Sequence, residues 1–318
     1  MKKRGRFRSL ATLALLLGLL VTMPGGARAQ LPVARLVSLF PPGGRIGTTF
    51  EVTASGTDLD EPSGLRFTHP GLSAVARDGA DKFTITIASN TPPGVYEARF
   101  AGRFGLSNPR AFVVGDLPEI VAPQTNTSTA SALELPLDTT VSSRLSPNGV
   151  AWFKFNAKKG RRILMECLAE SLDSRLDAAL VVTDSTGREL ERQRQGGLLD
   201  FTAPADGGYG LKVADFLYRG GGDYFYRLTL STRPRLDFIF PPAALPGTKT
   251  NFTLYGRNLP GGQTVRGQTM DGKRLEQLTV EIAFPTNESA PRRLDTGLLV
   301  RPAGAVLDGF DFFEQRLL

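Results

Sequence analysis

The chain is poor in the residues that most often carry chemistry. Its 318 residues include one cysteine, one histidine and one tryptophan. A single cysteine, Cys167, excludes an internal disulfide, so any core must be held by packing. The same scarcity excludes the usual zinc sites, which draw most of their ligands from His and Cys. A Ser–His–Asp site would have to use His69, and no nucleophile-elbow motif accompanies it. Phe67-Thr68-His69-Pro70-Gly71 reads instead as a loop whose histidine is solvated or satisfies a turn. Cys167 alternates with Ile163 and Met165, which predicts a small buried residue on one strand face. No apolar run reaches the roughly 20 residues that a membrane helix needs, so no membrane span is expected in the mature chain. Beyond the first 29 residues no long helical periodicity is present.

Those first 29 residues read as an export signal. Lys2, Lys3, Arg4, Arg6 and Arg8 precede an apolar run at 10–21, and Ala27-Arg28-Ala29 supplies a small-x-small cleavage site. The segment carries six basic residues and no acidic one, so the formal charge of +7 falls to about +1 in the mature chain. Neither a basic stripe nor a nucleic-acid motif remains, and nucleic acid is not an expected partner. The expected location is the periplasm, the cell surface or the extracellular space.

The most informative positive feature is a repeat at an offset of 200 residues. Segments 34–60 and 234–260 align without a gap. They share Arg35/Arg235, Leu36/Leu236, Phe40/Phe240, Pro41/Pro241, Pro42/Pro242, Gly47/Gly247, Thr48/Thr248, Thr53/Thr253, Gly56/Gly256 and Leu59/Leu259. Solenoid repeats are spaced far more closely, so this is one module used twice around a different one.

Almost every periodic segment alternates with period two. Tyr96, Ala98 and Phe100 share a face, as do Ala151, Phe153 and Phe155; Tyr209, Leu211 and Val213; and Tyr224, Tyr226, Leu228 and Leu230. Such alternation predicts half-buried antiparallel strands, with Arg227 and Thr229 on an outward face. Turn residues punctuate them at 92–94, 184–187 and 205–208. The expected fold is all-β, tandem antiparallel β-sandwiches. The expected divisions are a signal at 1–29 and modules at 30–116, 117–232 and 233–318, with 116–143 serving as linker and approach to the second.

The middle segment, from about Ala122 to Ser231, resembles the bacterial pre-peptidase C-terminal domain. The resemblance rests on order and spacing: Trp152-Phe153-Lys154-Phe155, Lys159-Gly160, Leu176-Asp177-Ala178-Ala179-Leu180, the 184–187 turn, Phe201 to Val213 with Asp206-Gly207-Gly208-Tyr209, and Gly220-Gly221-Gly222-Asp223-Tyr224. The flanking segments resemble immunoglobulin-like domains of the IPT/TIG kind. There the carriers are Phe40-Pro41-Pro42-Gly43-Gly44, Gly47-Thr48 and Gly56-Thr57-Asp58-Leu59, and in the first copy Gly105-Leu106-Ser107-Asn108-Pro109. After Leu259 the second copy has no counterpart of Ser107-Asn108-Pro109, so the last module is expected to be divergent or shortened. The combination looks like exported proteins of planctomycete-type bacteria. It implies β-sandwich folds and a non-catalytic binding or structural role. The alternative it leaves is an accessory region associated with an exported peptidase.

Candidate sites are few. Asp173, Asp177, Asp184 and Asp200 could offer oxygen ligands to calcium, but segment 191–197, acidic in some relatives, is here basic and amide-rich. Glu166 and Glu170 read as solvated glutamates rather than as a glycosidase pair. Loops at sandwich ends tolerate variation and so tend to carry function. The candidates are 191–197 and 216–222. Phe216, Tyr218 and Arg219 form the candidate ligand-binding loop, for an envelope polysaccharide or protein. The competing reading is that Phe216 or Tyr218 caps the sandwich edge.

Overall fold

A computed structural model describes residues 31–283, apart from 80, 195, 196, 246 and 271. From Ala34 onward the described residues form one compact unit. Among the described residues it is built of strands, with a single 3-10 turn at Glu170–Leu172. The proposed signal and segment 284–318 lie outside the described residues.

The first module has two sheets. One runs in the order Arg35–Phe40, Thr49–Thr57, Lys82–Ile87 and Leu72–Ala76; the other joins Gly43–Arg45, Arg110–Gly115, Gly94–Gly102 and Gly64–Phe67, with Gly105–Leu106 at its side. Alternation works as expected. Leu36, Val52, Phe83, Ile85, Phe100 and Phe112 point inward from the two sheets and make one core. The last module contributes a four-stranded sheet, Arg235–Phe240, Lys249–Arg257, Lys273–Ala283 and Gln263–Met270. Leu236, Phe252, Leu254 and Ile282 are buried on it.

The middle module is a sandwich of two five-stranded sheets. The first runs Glu119–Val121, Thr139–Arg144, Phe225–Ser231, Arg162–Leu168, Leu198–Thr202; the second runs Leu133–Glu134, Val150–Ala157, Gly207–Asp215, Ala178–Thr183, Glu189–Gln193. Their inner faces share the largest core of the molecule, which includes Phe153, Phe155, Met165, Cys167, Leu211, Tyr226 and Leu228. Tyr209 stacks on Phe155, and its hydroxyl donates to the Ala205 carbonyl at 2.6 Å, fastening the 205–208 turn. Truncating Phe153 or Phe155 to Ala should cost about 3–5 kcal/mol.

Three expectations need correction. The Phe225–Ser231 strand is buried along its whole length, Arg227 and Thr229 included. Its Phe225 end is covered by the first module, and Thr229 is paired with Thr140 of the neighbouring strand. Phe225 packs with Val113 and Leu172, with Phe40, Ala111 and Leu168 beside them, and Arg227 is paired with Glu119. Segment 116–143 is more than a linker. It supplies three strands, of which Thr139–Arg144 is almost wholly buried. Two of them, Glu119–Val121 and Leu133–Glu134, pair in parallel at the edges of otherwise antiparallel sheets, as Gly43–Arg45 does in the first module. Finally, 191–193 belongs to the Glu189–Gln193 edge strand rather than to a free loop, and Glu191 pairs with Lys273 of the last module.

Candidate functional site

The 216–222 segment leaves the Gly207–Asp215 strand and returns to Phe225–Ser231. Its shape is imposed by one buried carboxylate. Oδ1 of Asp215 accepts the backbone N–H groups of Leu217 at 3.0 Å and Arg219 at 2.9 Å, and Oδ2 accepts that of Asp177 at 3.0 Å. Arg219 Nε closes on the same carboxylate at 3.0 Å. Burial by itself would raise the Asp215 carboxyl, but the Arg219 guanidinium and these N–H donors outweigh it and hold it below the usual carboxylate range. The backbone is pinned further by Phe216 N–H to the Asp177 carbonyl at 2.8 Å and Asn148 N–H to the Tyr218 carbonyl at 2.9 Å. The glycine run has a steric reason. A Cβ on Gly220 would lie 2.2 Å from the Ser146 carbonyl, so only glycine permits the crossing.

The predicted candidates therefore separate into two roles. Phe216, Leu217 and Tyr218 point outward, 42%, 63% and 50% exposed. Tyr218 takes φ 56°, which turns the chain sharply at the tip. Arg219 instead holds the loop, since its guanidinium is committed to Asp215 and lies 5.8 Å from the Tyr224 ring. Asp215 was not singled out in the sequence. Its spacing from Leu217 and Arg219 is the signal that was there, because an Asp that accepts N–H groups two and four residues on folds its own turn.

A cavity of about 460 Å³ opens at the same end of the sandwich. Glu170, Ser174, Arg175 and Asp177 line it, with Cys167 and Gly197 at its floor. It is tied to the loop through Asp177, whose carbonyl holds Phe216, and through Arg175, whose N–H reaches the Asp223 carbonyl at 2.9 Å. The Arg175 guanidinium lies 5.9 Å from the Tyr224 ring. The arrangement joins a polar cleft of mixed charge to an apolar, aromatic lip. Glycans and extended peptides are matched by surfaces of this kind.

The other candidates are dispersed. His69 lies in the first module, where its Nδ1 accepts the Gly71 N–H at 3.0 Å and its ring leans on Tyr96. Cys167 is buried, and burial pushes its thiol well above the usual range. Of the four aspartates weighed for calcium, Asp173 faces Arg110, Asp184 binds Thr186 and Arg188, Asp200 sits between Arg162 and Arg257, and Asp177 lines the cleft. Among the described residues no three His, Cys, Asp or Glu side chains converge. Glu166 is not solvated as expected but half-buried against Arg235 at 2.7 Å, while Glu170 lines the cleft. No helix among the described residues is long and apolar enough to cross a membrane.

No protein-family model and no curated protein matches this sequence. Among solved structures, the chain is similar to the pre-peptidase C-terminal domain of a collagenase from Bacillus anthracis. The identity is 22% and the TM-score 0.25, over 31% of this chain and 93% of that one. It is also similar to carbohydrate-binding modules of the β-sandwich superfamily, at 13% identity and TM-score 0.21, over 63% of this chain and 96% of that one. A third is a protein of a Bacteroides ovatus mixed-linkage glucan utilization locus, solved with a mixed-linkage heptasaccharide. There the identity is 8% and the TM-score 0.22, over 64% of this chain and 77% of that one. The fold assignment rests on the sheets and cores themselves: the chain is a modular, all-β assembly of sandwich type.

Proposed function

We propose that this is an exported, non-catalytic binding protein. Its middle module, of pre-peptidase C-terminal type, meets an envelope polysaccharide or protein through its loop end, and the flanking immunoglobulin-like modules hold that module in place. The observation that carries the reading is the exposed tip of Phe216, Leu217 and Tyr218 beside the polar cleft. A buried carboxylate and four hydrogen bonds to it keep three apolar side chains in water, where nothing in the module's own packing requires them. A preorganised apolar lip loses little entropy on binding. Export follows from the basic, apolar and small-x-small start of the chain. The non-catalytic part of the reading is supported by a histidine engaged in a turn and a cysteine packed in the core.

The test is retention of the mature chain on peptidoglycan, on envelope polysaccharide and on collagen-like peptide. The comparison is with a Phe216→Ala/Tyr218→Ala variant. Binding to at least one matrix, weakened about tenfold in the variant, is the expected result. Equal retention of both proteins, or none on any matrix, rejects the reading.

A further inference from the structure

The two sheets of the middle module differ in what covers them. The outer face of the Phe225–Ser231 sheet meets the first module at Phe225 and the last module at Arg162, Glu166 and Asp200, whereas on the other sheet Ala214, Val181 and Thr183 are buried and the part around Trp152, Lys154, Asn156 and Gly208 reaches solvent. On the Val150–Ala157 strand the outward positions Val150, Trp152, Lys154 and Asn156 alternate with buried Ala151, Phe153, Phe155 and Ala157. On the neighbouring Gly207–Asp215 strand the outward positions include Gly208, Gly210 and Lys212. The register sets Trp152 opposite Lys212 and Lys154 opposite Gly210.

Here stands the chain's one tryptophan, partly exposed on a sheet face. A Cβ on Gly210 would lie 2.6 Å from Thr183 Oγ1 and 3.5 Å from the indole, so the six-membered ring of Trp152 rests against bare backbone. Gly208, one step along, is exposed and also bears no side chain. The result is a flat strip with an aromatic ring at its middle. Lys212 Nζ lies 6.0 Å from the ring centroid. Lys154 is exposed, with Glu134 at 3.8 Å, a separation that binds weakly in water. On the edge strand Glu189 is taken by Arg192 and Glu191 by Lys273, which leaves the two lysines to set the sign of the strip.

We propose that this strip is a second binding surface, for an acidic polysaccharide, separate from the 216–219 loop. The apolar face of a sugar ring stacks on the Trp152 indole. Lys154 and Lys212 meet carboxylates carried by that ring and its neighbours, and Asn156 offers a hydrogen bond to hydroxyls. A flat strip suits an extended chain, and glycines at 208 and 210 remove the side chains that would lift it from the indole. Charge complementarity selects the acidic class over neutral glycans, and the attraction weakens with added salt.

Because the chain has a single tryptophan, its emission reports on this surface alone. The experiment titrates the mature chain with oligogalacturonate and, separately, with cellohexaose, following that emission. A saturable change with oligogalacturonate is expected, about tenfold weaker with cellohexaose and weaker again at 0.5 M salt. Lys212→Met keeps the aliphatic stem on the ring and keeps the reporter, and it should weaken binding about fivefold with an unchanged melting temperature. Trp152→Phe, followed by calorimetry, should lose at least as much. The Phe216→Ala/Tyr218→Ala variant should keep the full emission response, which separates this surface from the loop. The proposal is overturned by no saturable emission change, by an equal response to the neutral sugar, by a Lys212→Met variant that binds like wild type, or by loss of the response in the loop variant.

Discussion

The two copies of the repeated segment share their local structure and differ in what they touch. Arg35–Phe40 pairs with Thr49–Thr57 and Arg235–Phe240 with Lys249–Arg257 in the same register, with an irregularity at the same place, between residues 36 and 38 or 236 and 238. Gly56 and Gly256 each run so close to the carbonyl of Arg35 or Arg235 that a Cβ would come within 2.1 Å. Thr48 and Thr248 donate to Arg45 and Leu245 carbonyls at 2.6 and 2.7 Å. The Phe40–Pro41 and Phe240–Pro241 bonds are both cis. The shared residues thus serve the backbone of the module.

The contacts run through opposite ends. In the first copy Phe40 lies under the Arg144 guanidinium, 3.8 Å from its ring centroid, and joins the apolar cluster of Val113, Leu172 and Phe225. In the second copy Phe240 is 65% exposed. There the other end of the strand pair docks, through ions. Arg235 meets Glu166 at 2.7 Å, Arg257 lies 3.5 Å from Asp200 and 3.3 Å from Asp237, and Arg162 bridges Asp200 at 2.6 Å and Glu276 at 2.8 Å. The first copy has Thr57 where the second has Arg257, and Asp58 where the second has Asn258. Asn258 Nδ2 donates to the Arg162 and Thr232 carbonyls at 3.3 and 3.2 Å. Identical positions make the same local contacts in both copies, but Phe40 and Arg235 among them also meet different neighbours, and Arg257 and Asn258 add contacts that Thr57 and Asp58 do not make.

The largest effect should come from breaking the ionic junction at its centre. Asp200 has a nearly buried side chain between two guanidiniums. Asp200→Ala leaves both without it and should destabilise the chain by about 3–5 kcal/mol, read from urea unfolding. A loss below 1 kcal/mol would mean that water or Asp237 replaces it freely. Next in size is the aromatic junction. Phe40→Ala removes a partly buried ring and its cation contact and should cost about 2 kcal/mol. Its repeat-mate Phe240→Ala should stay within about 0.5 kcal/mol. Calorimetry of the two variants tests the asymmetry, and equal effects would erase it.

The smallest expected effect concerns pH, and it separates the middle module's loop from both junctions. The Asp215 carboxyl is held below its ordinary value in the folded chain. Its stabilising share is therefore complete above the unfolded value of about 3.9 and is lost as pH falls below that towards the folded value. Between pH 5 and pH 2 the 216–222 loop should lose hydrogen-exchange protection, measured against the intrinsic amide rate at each pH, and Asp215→Asn should flatten that dependence. At Asp237 burial raises the carboxyl, with Arg257 and Arg235 opposing, so this group contributes in the opposite sense. A loop whose protection does not change with acid would place its anchor elsewhere.

Much of this was legible in the residues. Alternation located the core faces of 151–155, 209–213 and 224–230, because a strand that is wet on one face must write its burial with period two. The turns at 184–187 and 205–208 announced themselves through Asp and Gly. The 216–219 segment was legible as a loop, but whether its aromatics are exposed or cap the sandwich edge was decided by the structure, which exposes them. What could not be read was contact between segments far apart in the chain. Arg227 and Thr229 read as an outward face and 116–143 as linker and approach, yet Arg227 is buried against Glu119 and Thr229 against Thr140 of the Thr139–Arg144 strand. Glu166 reads as an ordinary surface glutamate until Arg235, 69 residues away, is brought to it.

By itself the sequence determined the strand content, the turn positions, the 200-residue repeat and the inward sets of each sandwich. These are local properties: a pleated backbone, a permitted φ and a side chain's preference for water act within a few residues. Tertiary structure alone decided which parts of the middle module's sheets meet another module and which reach solvent. It also decided which of two equal phenylalanines is partly covered and which stands exposed, and that the Arg219 guanidinium is turned to Asp215. Those outcomes depend on residues far apart in the chain meeting in space, where burial changes what a charge or an aromatic ring is worth.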